Sequence, residues 1–182
     1  MRYKSGMKLY ASIVFLTLAA ASQAPGAVAD SAPNGFTSKL EFQVKASPAA
    51  VYGKLLHNVG EWWEPAHTFS GNSANLSIEE KVMGCFCEKL PGGGMVRHLE
   101  VVYLDPAKAL VFSGALGPMQ SMGVTGSLAI RLTPAESGTR LEVQYAVGGY
   151  RPQGLDTMAA VVDGVLLAQF THLKNLVETG KP

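Results

Sequence analysis

The chain has 182 residues, with 15 Lys and Arg against 14 Asp and Glu. That length suits one domain, or one domain plus a tail. A net charge near zero, with the basic residues scattered, argues against a nucleic-acid surface and against a basic membrane-surface patch.

Arg2, Lys4 and Lys8 form a positive head, Leu9 to Ala21 is an apolar run, and Ala27-Val28-Ala29 precedes Asp30. This is the order of a secretory signal peptide over residues 1–29, with cleavage expected after Ala29. The apolar run is short for a membrane span of roughly 20 residues. No stable membrane anchor is therefore expected after cleavage, and the expected location is across the inner membrane, in the periplasm. Residues 30–37 are rich in Pro, Gly and Ser and read as a flexible N-terminal segment. The folded domain is expected over 38–180.

Leu40, Phe42 and Val44 alternate with Lys39, Glu41, Gln43 and Lys45, which predicts a half-buried strand. Ser47 is a natural N-cap and Pro48 suits the first helical position. Val51, Leu55, Leu56 and Val59 give helical spacing, which Gly60 is expected to end, and Trp62-Trp63 follow. Short strands are predicted over 76–81, 85–90, 96–104 and 110–113, with Pro91-Gly92-Gly93-Gly94 as a turn between the second and third. Residues 114–123 read as a glycine-rich loop able to gate an opening. Leu128, Ile130 and Leu132, then Leu141, Val143, Tyr145 and Val147, alternate with polar or small residues, as in antiparallel strands with one wet face.

From Leu155 onward the period changes. Met158, Val162, Val165, Leu166, Phe170, Leu173 and Leu176 recur at three and four, which predicts one amphipathic helix ending near Gly180. A sheet of this kind must cover its apolar face, and the long helix is the large apolar surface able to do so. A strongly twisted sheet grips a helix imperfectly at one end, so a cavity is expected there. A closed β-barrel with a peripheral helix is the alternative.

Several local features resemble bacterial SRPBCC-domain proteins of the START-like superfamily. They are Trp62-Trp63, Gly84-Cys85-Phe86-Cys87-Glu88, Leu90-Pro91-Gly92-Gly93-Gly94, His98 through Val101-Val102 to Asp105-Pro106, Gly114-Ala115-Leu116-Gly117-Pro118, and Val147-Gly148-Gly149-Tyr150. The resemblance covers roughly residues 38 to 178. It implies an α+β helix-grip (START-like) fold, with a curved antiparallel sheet of six to seven strands around a long C-terminal helix. It does not choose among carriers, cyclases, lyases and chaperone-ATPase activators, because one scaffold serves them all.

The sharpest chemical candidate comes from strand parity. With the turn centred on Gly93, Glu88 lies opposite His98 and Phe86 opposite Glu100, so Phe86, Glu88 and His98 share one face. A Glu facing a His in an apolar cavity makes either a charged pair or a tuned acid and base. A buried structural pair and an exposed pair stay open. Asp163, inside the apolar stripe of the long helix, needs a partner or a proton if buried; Arg151, Tyr145 and glycine-loop amides are the expected partners. Trp62, Trp63, Phe86, Tyr145, Tyr150, Asp163 and Phe170 are the candidate ligand contacts, with core packing as the rival role for the tryptophans.

Cys85 and Cys87 stand two apart on one strand, ~6.6 Å in regular geometry, near the upper edge for a disulfide. Free thiols, a strained or redox-active bridge, and a metal site with a nearby His stay open. A single C-x-C lacks the second ligand pair of zinc motifs, so no metal is expected. Neither G-x-S-x-G nor H-E-x-x-H is present, no dinucleotide fingerprint follows a strand, and no cofactor is expected. The leading expectation is an exported carrier of a small hydrophobic molecule, such as a lipid, aromatic or polyketide-like compound. The rivals are a cofactor-free cyclase, dehydratase or hydrolase using Glu88 and His98, and a protein-interaction module.

Overall fold

The period-two segments form strands and the period-3.6 segment forms one helix. The computed structural model describes residues 26–182. In chain order the strands are β1 (Gly26–Ala32), β2 (Gly35–Val44), β3 (Leu76–Ile78), β4 (Cys85–Lys89), β5 (Met95–Asp105), β6 (Ala109–Ser113), β7 (Val124–Ala135) and β8 (Gly138–Gly149). The helices are α1 (Pro48–His57), α2 (Val59–Trp62) and α3 (Asp156–Thr179). All eight strands join one sheet in the order β1-β2-β8-β7-β6-β5-β4-β3. Every neighbouring pair is antiparallel. The architecture is the α+β helix-grip arrangement, with one strand more than the six to seven expected.

The extra strand is β1. Residues 30–37, expected to be loose, instead hold the end of β1, a turn at Pro33-Asn34 and the start of β2. Small and turn-forming side chains hide this strand, because backbone pairing makes it: Ala32 pairs with Gly35, Ser31 with Phe36 and Asp30 with Thr37. The turn is also tied down. Pro33 O accepts from the Leu155 amide at 2.9 Å, and Asn34 O from the Gly149 amide at 3.1 Å. The expected cleavage point after Ala29 falls inside β1, and residues 1–25 of the expected signal segment lie outside the described residues.

Ser47 caps α1 by accepting from the Ala50 amide, with Pro48 in the first turn. Gly60 does not end the helical stretch; it lies within α2. A Cβ there would stand 2.8 Å from Ser73 O, so a glycine lets α2 press against the 73–75 turn. Helix α3 runs unbroken for 24 residues and stops at Gly180, whose φ of 77° is left-handed and whose amide bonds Leu176 O. It packs against β1 and β2 and against α1 and α2. Leu166, Phe170, Leu173 and Leu176 meet the inward residues of the sheet, among them Phe36, Leu40, Leu128, Val143 and Tyr145, in one continuous core. Leu155 and Ala159 seat the helix start in the same core, while Val161 beside them is exposed.

Candidate functional site

The space left under the first half of α3 is a cavity of about 340 Å³. Met158, Val161, Val162, Val165 and Leu166 form its helical wall. Leu116, Gly117, Pro118 and Met119 come from the β6–β7 loop, and Trp63, Ala66, His67, Thr68 and Phe69 from the segment after α2. The lining is largely apolar, with His67 and Thr68 as its polar side chains. Four hydrogen bonds hold the two loops in place. Trp63 Nε1 donates to His67 O at 3.0 Å. The Glu64 amide donates 2.7 Å to Oε1 of Gln169, a fully buried side chain of α3 whose Nε2 has no partner among the described residues. The Leu116 amide donates 3.0 Å to the Tyr145 hydroxyl, which itself donates to Gly114 O at 3.3 Å.

Behind Phe69 lies the Glu88–His98 pair. The register differs from the expected one: Glu88 pairs with Val96, Cys87 with Arg97, Phe86 with Leu99 and Cys85 with Glu100. Strand β5 therefore carries one extra residue, His98, and that bulge buries both His98 and Leu99. Glu88 and His98 still meet, as diagonal neighbours on one face, with His98 Nε2 2.9 Å from Glu88 Oε2. Glu88 is fully buried and His98 nearly so. The carboxylate also accepts from the backbone amides of Phe69, at 3.0 Å, and Ser70. Burial opposes its ionisation, but the bonds from Ser70, Phe69 and His98 outweigh this and hold the carboxyl below its ordinary range. Burial pushes the His98 imidazole below its ordinary value, and the neighbouring carboxylate only partly offsets that. A neutral ring facing an ionised carboxylate carries its proton on Nε2 and keeps Nδ1 as an acceptor. The His98 ring sits between Phe69, with centroids 5.8 Å apart, and Phe86, at 5.3 Å.

The candidate ligand contacts separate. Trp63 lines the cavity. Trp62 is core, 5.7 Å from the Phe170 ring, and Phe170 is buried with it. Phe86 lies one layer behind Trp63, edge to face at 5.3 Å. Tyr145 is buried and acts through the loop it holds; burial pushes its hydroxyl up to about 12. Tyr150 is 77% exposed and stands away from the cavity, just past the end of β8. Asp163 bonds none of its expected partners; its Oδ1 accepts from the hydroxyl of Ser38, an inward residue of β2. A Tyr145→Phe variant should lose about 1–3 kcal/mol, because Leu116 N–H and Gly114 C=O lose their partner. Thermal unfolding checks this, and an unchanged midpoint would show that the loop does not depend on the hydroxyl.

Sequence reasoning missed Gln169 and most of the wall. A polar residue set between Leu166 and Phe170 was the available signal for Gln169. Met158, Val162 and Val165 read as core, because periodicity marks an apolar face without showing what it faces.

A sheet closed by a long C-terminal helix, with an apolar cavity under the helix start, is a helix-grip fold. Solved structures share the fold. Protein MLL2253 from Mesorhizobium loti is 20% identical, with 80% of this chain and 99% of that one covered, at a TM-score of 0.58. The Aha1 dimer from Colwellia psychrerythraea is 22% identical over 80% of this chain and 98% of that one, at 0.55. DynU16, a protein of the dynemicin biosynthetic locus, is 18% identical over 79% of this chain and 48% of that one, at 0.56. No family model and no curated protein matches the chain.

Proposed function

We propose that this chain is an exported carrier for a small hydrophobic molecule, held between the first half of α3 and the loops at 63–69 and 116–119. The apolar wall of the 340 Å³ cavity carries this reading. The space matches the lower range of small-molecule pockets, which run from about 300 to 1,000 Å³. Export is supported by the charged head and apolar run of the N-terminus. The ligand class is lipid, aromatic or polyketide-like.

A fluorescent apolar dye should bind with 1:1 stoichiometry and be displaced by the natural ligand, and native mass spectrometry should retain a small molecule on gently purified protein. Val162→Trp places a large ring in the cavity from a half-buried wall position. It should weaken dye binding at least tenfold while circular dichroism stays native. Equal binding by the variant, or no binding by either protein, would overturn the carrier reading.

A cofactor-free enzyme using Glu88 and His98 is the second reading, favoured by the 2.9 Å pair one ring away from the cavity. Neither residue lines the cavity itself, and Phe69 lies against both cavity and His98. Turnover of a bound substrate that His98→Gln abolishes, with dye binding intact, would establish this reading in place of the carrier.

A further inference from the structure

Cys85 and Cys87 form a disulfide within one strand, their Cα atoms 5.2 Å apart. Its ring encloses a single intervening residue, so it removes little entropy from the unfolded chain. A bridge of this kind does little as a staple, which leaves its chemistry to be explained. Phe86 and Glu88 point into the core, so the two cysteines lie on the outer face of β4. They differ in access: Cys85 is half-buried and Cys87 is buried.

They also differ in charge. Across the strand pair, Cys87 faces Arg97, and the exposed Lys89 follows on the same face. Cys85 faces Glu100, and its amide bonds Glu79 Oε2 at 3.1 Å. Arg97 reaches along this face to Glu100, Nη1 to Oε2 2.6 Å. Access therefore favours attack at Cys85, and the strand positions next to Cys87, Arg97 across and Lys89 along, are the cationic ones, which favours the thiolate there although Arg97 is shared with Glu100.

We infer that Cys85–Cys87 is a thiol–disulfide exchange site, with Cys85 the sulfur attacked by an incoming thiol and Cys87 the leaving thiolate. In the first step a thiolate RS⁻ attacks Cys85 Sγ. The RS–Sγ bond forms, the Cys85–Cys87 bond breaks, and its electron pair leaves on Cys87, whose partner across the strands is Arg97. In the second step another thiolate attacks the mixed disulfide, releasing RSSR and the Cys85 thiolate. Two thiols are oxidised, the bridge is reduced by two electrons, and the two thiolates of the protein take up the protons the thiols gave up. Thiols of the exported compartment are the co-reactants, and the site lies on the opposite face of the sheet from the cavity.

The test uses the full chain with dithiothreitol and glutathione as probes. Dithiothreitol should reduce the bridge while circular dichroism stays native. Brief exposure to glutathione, acid quenching and tandem mass spectrometry should place the mixed disulfide on Cys85. Arg97→Gln should slow reduction about 3-fold or more, by raising the leaving thiol's pKa, and Glu100→Gln should not slow it. A bridge reduced only when the chain unfolds, glutathione on Cys87, or a rate unchanged in Arg97→Gln would each overturn the assignment.

Discussion

Glu88→Ala should lower the melting temperature by on the order of 10 °C, from a loss of about 3–5 kcal/mol as three buried donors lose their acceptor in a domain of this size. The substitution leaves the Phe69 and Ser70 amides and the His98 ring without the acceptor they share. Glu88→Gln, which keeps one carbonyl oxygen, should cost less. The same residues fix the response to acid. Glu88 has a lower pKa folded than unfolded, so its contribution is complete above the unfolded carboxylate range and is lost as pH falls through that range. His98 is also lower when folded. Its unfolded form takes up the proton first, and stability falls as pH drops below the histidine value of 6.5. Urea midpoints from pH 8 down through the carboxylate range should therefore fall in two stages, with the lower stage smaller in Glu88→Gln, because Glu79 and Glu178 are also held below their ordinary range. A flat profile in the wild type would show that the pair does not couple to folding.

The Glu88–His98 pair was readable from the sequence even though its register was not. Residues two apart on a strand share a face, so the pair survives a shift that moves Glu88 from opposite His98 to opposite Val96. The bulge at His98 has no side-chain signature, and the amides of Phe69 and Ser70 have none either. Strands β2, β7 and β8 and helix α3 were legible because one face of each is buried and the period follows. Strand β1 was not, because Gly26, Ala27 and Ser31 pair through backbone alone. Asp163 announced a buried partner, but Ser38 lies 125 residues away in sequence and is small enough to pass as an ordinary inward strand position. The cavity was legible only in outline. Its wall depends on where the sheet stops under α3, a matter of three-dimensional fit that Met158 and Val162 do not encode separately from Leu166 and Phe170.

Trp63 joins the cavity to everything behind it, so Trp63→Ala should change both stability and ligand choice. The indole packs on Trp62 at 5.4 Å and on Phe86 at 5.3 Å, and its Nε1 holds His67 O. Removing so large a buried side chain costs about 3–5 kcal/mol, part from lost transfer energy and part from the void left behind. Trp63→Phe restores most of the packing but not the hydrogen bond, and should cost about 1 kcal/mol more than packing alone accounts for. The void in Trp63→Ala opens toward Phe86, whose ring touches His98. Dyes too bulky for the wild-type cavity should then bind, while small dyes bind more weakly for want of contact. Calorimetry on a series of dyes of increasing size separates these effects. If all dyes weaken in parallel, Trp63 only supports the loop; if the preferred size moves upward, the indole is the floor of the site and sets how deep a ligand can reach.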